Sequence, residues 1–433
     1  MKVGFVSLGC CKNLVDSEDI MTLCRQLGHT ITGNVEQAQA IIVNTCGFIA
    51  SAKEESINTI FEMARYKEKN CEKLIVVGCL AQRYTEQLRE ELPEVDAVIP
   101  IRDYGKLTQQ LAQLLGGNQN LLAKSNRVLS GKPWQAYVKI SDGCSNHCTY
   151  CAIPLIRGDQ VSFDMEDILA QAQNFADLGV KELTLIAQDT TKYGLDTHGK
   201  IMLAELIRRI DKIEGLHWIR ILYMYPDEIE EDVLKAMEES KHVVPYFDIP
   251  IQHANKRLLE KMNRRSSKEE VKALVEDIRS RFPNATCRTT LIIGFPSETE
   301  EEFEELLEFI QDVEWDRMGA FTYSKEEDTA SYDMEPEVDP ELAQARLDKL
   351  MTIQKEISLK RNQAKIGSTI EVLVEEKEGL INRYRGRSMA DAPDEVDGQV
   401  IFTSDKLLEL GSFVQVKIED ANTYDLMGVC VES

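Results

Sequence analysis

Along the first 120 residues, short apolar runs alternate with helical patterns. The runs fall at residues 3–8, 40–43, 74–77 and 97–99, and the helical patterns at 15–27, 52–66, 84–91 and 105–115. Strand and helix in turn predict an α/β domain with a parallel sheet over residues 1–120. Residues 116–132 are polar, carry Gly and Asn, and predict a linker.

The alternation resumes from residue 133. Strands are expected at 136–140, 182–186, 218–222, 246–249, 286–293 and 318–322, and helices at 165–178, 202–213, 228–238, 268–281 and 298–311. Six strand–helix repeats predict a curved parallel sheet or partial barrel, whose chemistry belongs at the C-terminal ends of the strands. A long helix rich in Leu, Lys and Glu is expected at 340–365. Beyond it, residues 366–433 break into short β-like runs separated by Gly, Asp and Asn, which predicts a small β-barrel. The expected organisation is therefore 1–120, 133–363 and 366–433.

Composition narrows the class. A chain of 433 residues, 43% hydrophobic and 29% charged, suits a soluble protein of two to four domains. No apolar run approaches membrane-spanning length. Residues 1–8 read as a strand rather than a signal peptide, so a cytoplasmic enzyme without membrane partners is expected. The eleven cysteines would then be reduced and serve metal or catalytic roles rather than disulfides. The net charge of −24 disfavours a grip on a nucleic-acid backbone and favours basic partners.

The cysteines supply the candidate chemistry. Cys144, Cys148 and Cys151 lie within eight residues, directly after an expected strand. Three such thiolates can hold three corners of a four-iron cluster and leave the fourth iron open. The competing reading is a zinc site with His147 as fourth ligand, though structural zinc prefers two separated ligand pairs. Cys10, Cys46 and Cys79 follow the first three apolar runs. Parallel strands would bring their loops to one sheet edge, where three thiolates could build a second cluster. The alternative is that each is a small buried hydrophobe. Cys24, Cys71, Cys287 and Cys430 read as structural, and Cys11 should point away from Cys10.

The spacing Cys144-x3-Cys148-x2-Cys151, with Tyr150 before the last cysteine, resembles the radical S-adenosylmethionine superfamily. The order of a three-cysteine α/β domain, this barrel and a TRAM-like β-barrel resembles the methylthiotransferase family over essentially the whole chain. Pro154-Leu-Ile-Arg157-Gly158, Ile249-Pro-Ile-Gln252-His253 and Thr290-Leu-Ile-Ile-Gly294 resemble its further motifs. Lys139-Ile-Ser-Asp142-Gly143-Cys144 and Ala187-Gln188-Asp189-Thr190-Thr191 resemble the branch that methylthiolates an aspartate of ribosomal protein S-twelve. The alternative is the branch acting on tRNA adenosine. Residues 363–433 hold 14 acidic against 7 basic side chains, which fits a basic protein substrate better than tRNA. Arg383-Tyr-Arg385-Gly-Arg387 could touch RNA, but reads first as a solvated loop or as paired with the acidic run 391–397.

The resemblance implies two 4Fe-4S clusters and S-adenosylmethionine. The cluster on Cys144, Cys148 and Cys151 would bind the cofactor and generate a 5′-deoxyadenosyl radical that takes hydrogen from the aspartate β-carbon. The cluster on Cys10, Cys46 and Cys79 would hold the sulfur, and a second S-adenosylmethionine would supply the methyl group. Tyr150 is expected beside the adenine and Arg157 on a carboxylate of cofactor or substrate. Gln188, Asp189, Gln252 and Thr290 are expected at strand ends facing the cofactor. No side chain is assigned as catalytic acid or base. Expected partners are the ribosomal protein, free or within the small subunit, an electron donor and a sulfur source, but not tRNA.

Overall fold

The computed structural model describes residues 1–117, 127–379, 382–394 and 396–432. The expected linker at 116–132 lies largely outside these residues. The first unit contains β1 (Lys2–Ser7), α1 (Cys11–Gln26), β2 (Thr30–Thr32), β3 (Ala40–Thr45), α2 (Ala50–Ala64), β4 (Lys73–Gly78), α3 (Cys79–Arg83), α4 (Thr85–Glu91), β5 (Ala97–Val98) and α5 (Tyr104–Leu115). Its sheet runs β2-β1-β3-β4-β5, with every pair parallel. β3 is buried along its whole length because helices cover both faces. The short edge strand β2 escaped the sequence pattern because only Ile31 in it is strongly apolar.

The second unit opens with β6 (Gln135–Lys139), β7 (Ser141–Asp142), α6 (Ile153–Arg157), β8 (Val161–Ser162), α7 (Met165–Asp177), β9 (Glu182–Ile186), α8 (Leu195–His198), α9 (Leu203–Ile210) and β10 (Trp218–Ile221). It continues with α10 (Glu231–Glu239), β11 (Tyr246–Asp248), α11 (Lys256–Lys261), α12 (Lys268–Arg281), β12 (Thr286–Ile293), α13 (Glu300–Val313), β13 (Arg317–Thr322) and α14 (Pro340–Gln363). All six expected barrel strands form. They make two parallel three-stranded sheets, β6-β9-β10 and β11-β12-β13, which meet at the bridge Ile219–Val243 and at the hydrogen bond from the Met224 amide to the Asp248 carbonyl. Ser267 and Thr299 close capping boxes that fix the starts of α12 and α13.

Alternation along these strands sets the character of the barrel. Ala136, Val138, Leu183, Leu185, Ile219, Ile221 and Phe247 join one core with the surrounding helices. Some of the intervening positions carry charge, and these pair across strands: Arg220 with Glu182 at 2.8 Å and Arg288 with Asp248 at 2.9 Å. Buried charges are tolerated only when paired in this way.

The third unit holds β14 (Thr369–Glu378), β15 (Arg383–Arg387), β16 (Val400–Thr403), β17 (Phe413–Ala421) and β18 (Leu426–Glu432), which form a closed barrel in the order β14-β15-β16-β18-β17. The segment Arg383–Arg387, read from sequence first as a solvated loop, is strand β15. Its period of two puts Tyr384 in the core and leaves Arg383 and Arg385 outside on Glu378. Arg387 is buried and pairs with Glu375 and with Glu182 at the start of β9.

The acidic run 391–397 is likewise not a free surface. Asp391 binds Arg317 at 2.7 Å, Asp394 takes hydrogen bonds from Gln135 and Tyr137, and Asp397 takes one from Tyr246 at 2.6 Å. Gln135, Tyr246 and Arg317 are the first residues of β6, β11 and β13, so this loop plugs the N-terminal mouth of the large barrel. The charge excess that sequence counting assigned to substrate docking is therefore partly spent inside the molecule. Among the described residues, no helix is long and apolar enough to cross a membrane.

Candidate active site between two cysteine triads

The barrel triad sits on a loop closed by the antiparallel pair β7–β8. Gly143 enters it at φ +73°, and a Cβ there would stand 2.1 Å from the Asp159 carbonyl oxygen. That approach lets the Cys144 amide bond the Gly158 carbonyl at 3.0 Å. Asn146 anchors the middle of the loop by donating to Asp189 at 2.7 Å, and Asn263 donates to the carbonyls of Asn146 and His147. The Tyr225 hydroxyl lies 2.9 Å from the Cys148 sulfur. The Arg264 guanidinium covers the Tyr225 ring at 3.6 Å and reaches within 4.0 Å of the same sulfur. Burial pushes the Cys144 thiol up to about 11 and the Cys151 thiol up to about 12.

His147 spends its ring on Asp159 at 3.4 Å and is largely exposed. Among the described residues, no three Cys, His, Asp or Glu side chains converge on a single metal ion.

The N-terminal triad is assembled by strand register. Ser7 pairs with Asn44, and Asn44 with Val77, so the chain leaves β1, β3 and β4 at one edge carrying Cys10, Cys46 and Cys79. Gly78 holds φ +99°, and a Cβ would overlap Asn44 Oδ1 at 2.2 Å. Asn13 ties the three loops together. Its Nδ2 donates to the carbonyls of Leu8 and Thr45, each at 3.0 Å, and its Oδ1 lies 3.4 Å from the Cys79 sulfur. Burial pushes the Cys46 thiol up to about 11, helped by the nearby sulfurs of Cys79 and Cys10. Burial also raises Cys79, against the pull of Arg157.

The two triads are neighbours. Cys79 packs with Ala152 and Ile156, and Ala152 is the residue after Cys151. Arg157 bridges the units: it binds Asp16 at 2.7 Å, Asn13 at 3.0 Å, Asp142 at 3.1 Å and the Cys79 sulfur at 3.4 Å. Lys139 completes the buried network on Asp16 and Asp142. Burial would raise the Asp142 carboxyl, but Lys139 and Arg157 outweigh it and hold the group well below the usual range. On the far side of the open barrel, Lys53 and Arg83 both bind Glu326. The first unit thus grips the barrel near both its first and its last strand. Just beyond β10, the Tyr223 hydroxyl lies 3.5 Å from the Cys11 sulfur and the Tyr225 hydroxyl 2.9 Å from the Cys148 sulfur.

Several expected cofactor contacts are placed differently. Arg157 is committed to the chain's own carboxylates, because it lies at the domain junction. Asp189 is fully buried and taken by Asn146 and by the Thr191 amide at 2.9 Å, so it supports the cysteine loop. Gln188 donates to Asp142 at 3.4 Å, while its Oε1 is buried without a partner. Gln252, at φ +72°, pairs its backbone with Thr290 and Ile292. Thr290 lies within β12 rather than at its end, beside Arg288. Tyr150 packs on Leu258, Met262 and Phe295 beside the barrel triad. Sequence reasoning missed Asn13, Asp16, Tyr223, Tyr225 and Arg264. Polar residues three and six places beyond Cys10 were the available signal for the first two.

The sequence matches three family descriptions in order: the uncharacterized protein family UPF0004 over residues 2–100, the radical SAM superfamily over 138–310 and the TRAM domain over 366–431. It is 46% identical to the ribosomal protein uS12 methylthiotransferase RimO of Acetivibrio thermocellus, covering 99% of this chain and 98% of that protein. It is 47% identical to the protein of that name from Desulforamulus reducens, covering 98% of each. The chain belongs to the RimO family. It is a radical SAM methylthiotransferase. Its fold also resembles the radical S-adenosylmethionine methyltransferase TsrM from Kitasatospora setae, solved with cobalamin and a [4Fe-4S] cluster. That likeness has a TM-score of 0.56 at 12% identity and covers 76% of this chain and 74% of TsrM. OxsB, a cobalamin-dependent S-adenosylmethionine radical enzyme, gives 0.52 at 13% identity over 82% of this chain and 56% of OxsB. At these identities the likeness is one of fold.

Proposed function

We propose that this enzyme adds a methylthio group to the β-carbon of an aspartate in ribosomal protein uS12, using a four-iron cluster on each cysteine triad. The observation that carries the reading is the contact of Cys79 with the segment directly after Cys151, which brings the two sulfur-rich loops to one site. Each triad fits its cluster by donor chemistry: three thiols in electrostatic range of one another, with glycines admitting close backbone approach. Loaded with S-adenosylmethionine, the clusters supply the radical and sulfur chemistry that side chains cannot.

The chain's own residues do the positioning. Asn13 fixes the N-terminal loops, Asn146 and Asn263 fix the barrel loop, and Arg157 with Lys139 locks the distance between them. Arg264 directs polar hydrogens at Cys148 and Arg157 does so at Cys79, which favours charged sulfur at both places. Gln188 keeps a buried oxygen free for a donor, as the ammonium of S-adenosylmethionine would provide. An electron donor and a sulfur source complete the reaction.

The test is anaerobic reconstitution with iron and sulfide, followed by mass spectrometry of uS12 and of tRNA exposed side by side. A methylthio mass on an aspartate of uS12 is the expected product. The same mass on tRNA adenosine alone would overturn the reading.

A further inference from the structure

Ten Lys and Arg side chains are buried among the described residues, and all but two hold a carboxylate. The exceptions are Lys12 and Arg264, each beside one triad. Arg264 is occupied: it donates to the Pro250 carbonyl, stacks on Tyr225 and approaches Cys148. Lys12 is not. It is 7% exposed, and its ammonium rests 2.9 Å from the centre of the Tyr223 ring without an anion. A ring face offsets only part of what a buried cation loses on leaving water.

The surroundings are built for negative charge. Lys12 is the second residue of α1, whose first turn holds no acidic residue and whose N-cap, Cys10, makes no side-chain capping bond. The positive end of that helix and the ammonium both favour an anion nearby. Tyr223, under the ammonium, is two residues from Tyr225, which touches the barrel triad. Lys12 thus stands between the two triads, two residues from Cys10.

We propose that Lys12 binds the side-chain carboxylate of the target aspartate and selects acidic over neutral side chains. The proposal rests on the aspartate reading above. In aspartate the carboxylate is one bond from the β-carbon, so a cation gripping it between the triads places that carbon where hydrogen must leave and sulfur must arrive. Arg157, the cation the sequence suggested for this task, is locked in the domain junction, and Arg264 is taken by a carbonyl and a ring, which leaves Lys12 among the described buried cations.

The test compares uS12 with a uS12 variant whose modified aspartate is replaced by Asn, which keeps the β-carbon and removes the charge. Full-length wild type, Lys12→Met and Lys12→Arg enzymes, reconstituted with iron and sulfide, are assayed on both proteins by mass spectrometry. Wild type should prefer the aspartate protein. Lys12→Met should raise KM for it by about tenfold or more and erase the preference, while Lys12→Arg retains it. A Lys12→Met enzyme that keeps the preference overturns the proposal. So does one that loses both substrates equally together with iron content or its cluster EPR signal, because Lys12 would then serve the cluster. A wild-type enzyme that leaves aspartate unmodified overturns the aspartate reading, and this proposal with it.

Discussion

The two cysteine triads bring three thiols together through opposite constructions. The barrel triad occupies one loop of eight residues, so its sulfurs are neighbours before the barrel is complete. The N-terminal triad spans Cys10 to Cys79, and its sulfurs meet only when β1, β3 and β4 pair in register. Accordingly, the first is clamped by neighbours outside its loop, such as Asn263 and Tyr225, whereas the second is clamped from within by Asn13. Each sulfur-facing arginine follows the same division. Arg157 is held by two carboxylates across the domain junction, whereas Arg264 is held by a carbonyl and an aromatic ring within the barrel. The local triad depends on its loop; the distributed triad depends on the docking of two domains.

The largest expected effect separates their tasks. Cys148→Ala should abolish formation of 5′-deoxyadenosine and of product. Cys46→Ala should abolish the methylthio product yet leave S-adenosylmethionine cleavage measurable, with iron falling from about eight to about four per chain. Methylthio product from the Cys46→Ala enzyme would erase the distinction drawn here.

The arginines should differ in stability. Arg157→Met leaves Asp16 and Asp142 with less counter-charge in a buried site, at a cost of about 3–5 kcal/mol. Arg264→Met strands no carboxylate and should cost about 1–2 kcal/mol. Urea unfolding of the apo proteins, followed by fluorescence, gives both values; equal losses would mean that the junction is not the weak point of the distributed triad.

The smallest effect is one the triads should share. Burial holds Cys144 and Cys46 up to about 11, above an ordinary thiol, so both are protonated near neutral pH. Iron binding must release those protons and therefore strengthens as pH rises. Iron uptake by apo protein should accelerate several-fold between about pH 7 and 9. The barrel-only and N-terminal-only variants, Cys46→Ala and Cys148→Ala, should show the same slope; a flat profile for either would mean that its thiols are already ionised.

The fold was largely legible because its signals are local. Continuous apolar runs marked the parallel strands, and the recurrence of strand and helix marked the barrel. The grouping of six cysteines into two sets was legible too, three from spacing and three from their shared place after strands. What misled was charge read without partners. Arg157 looked available to a carboxylate of cofactor or substrate, and Asp391, Asp394 and Asp397 counted towards the acidic excess of 363–433 that suggested a basic partner. Each is instead consumed by groups far away in sequence: Arg157 by Asp16, Asp391 by Arg317, Asp397 by Tyr246.

By itself, then, the sequence determined the order of three domains, the strand–helix alternation and the two sets of thiols. Hydrophobic period, turn residues and cysteine spacing are properties of neighbouring residues and need no tertiary contact. Only the tertiary structure decided which charges remain free, that Cys79 lies against the segment following Cys151, and that Lys12 is buried without an anion. Those facts depend on which distant groups share a buried volume. Coulomb attraction and desolvation act on distance in space, and distance along the chain does not encode it.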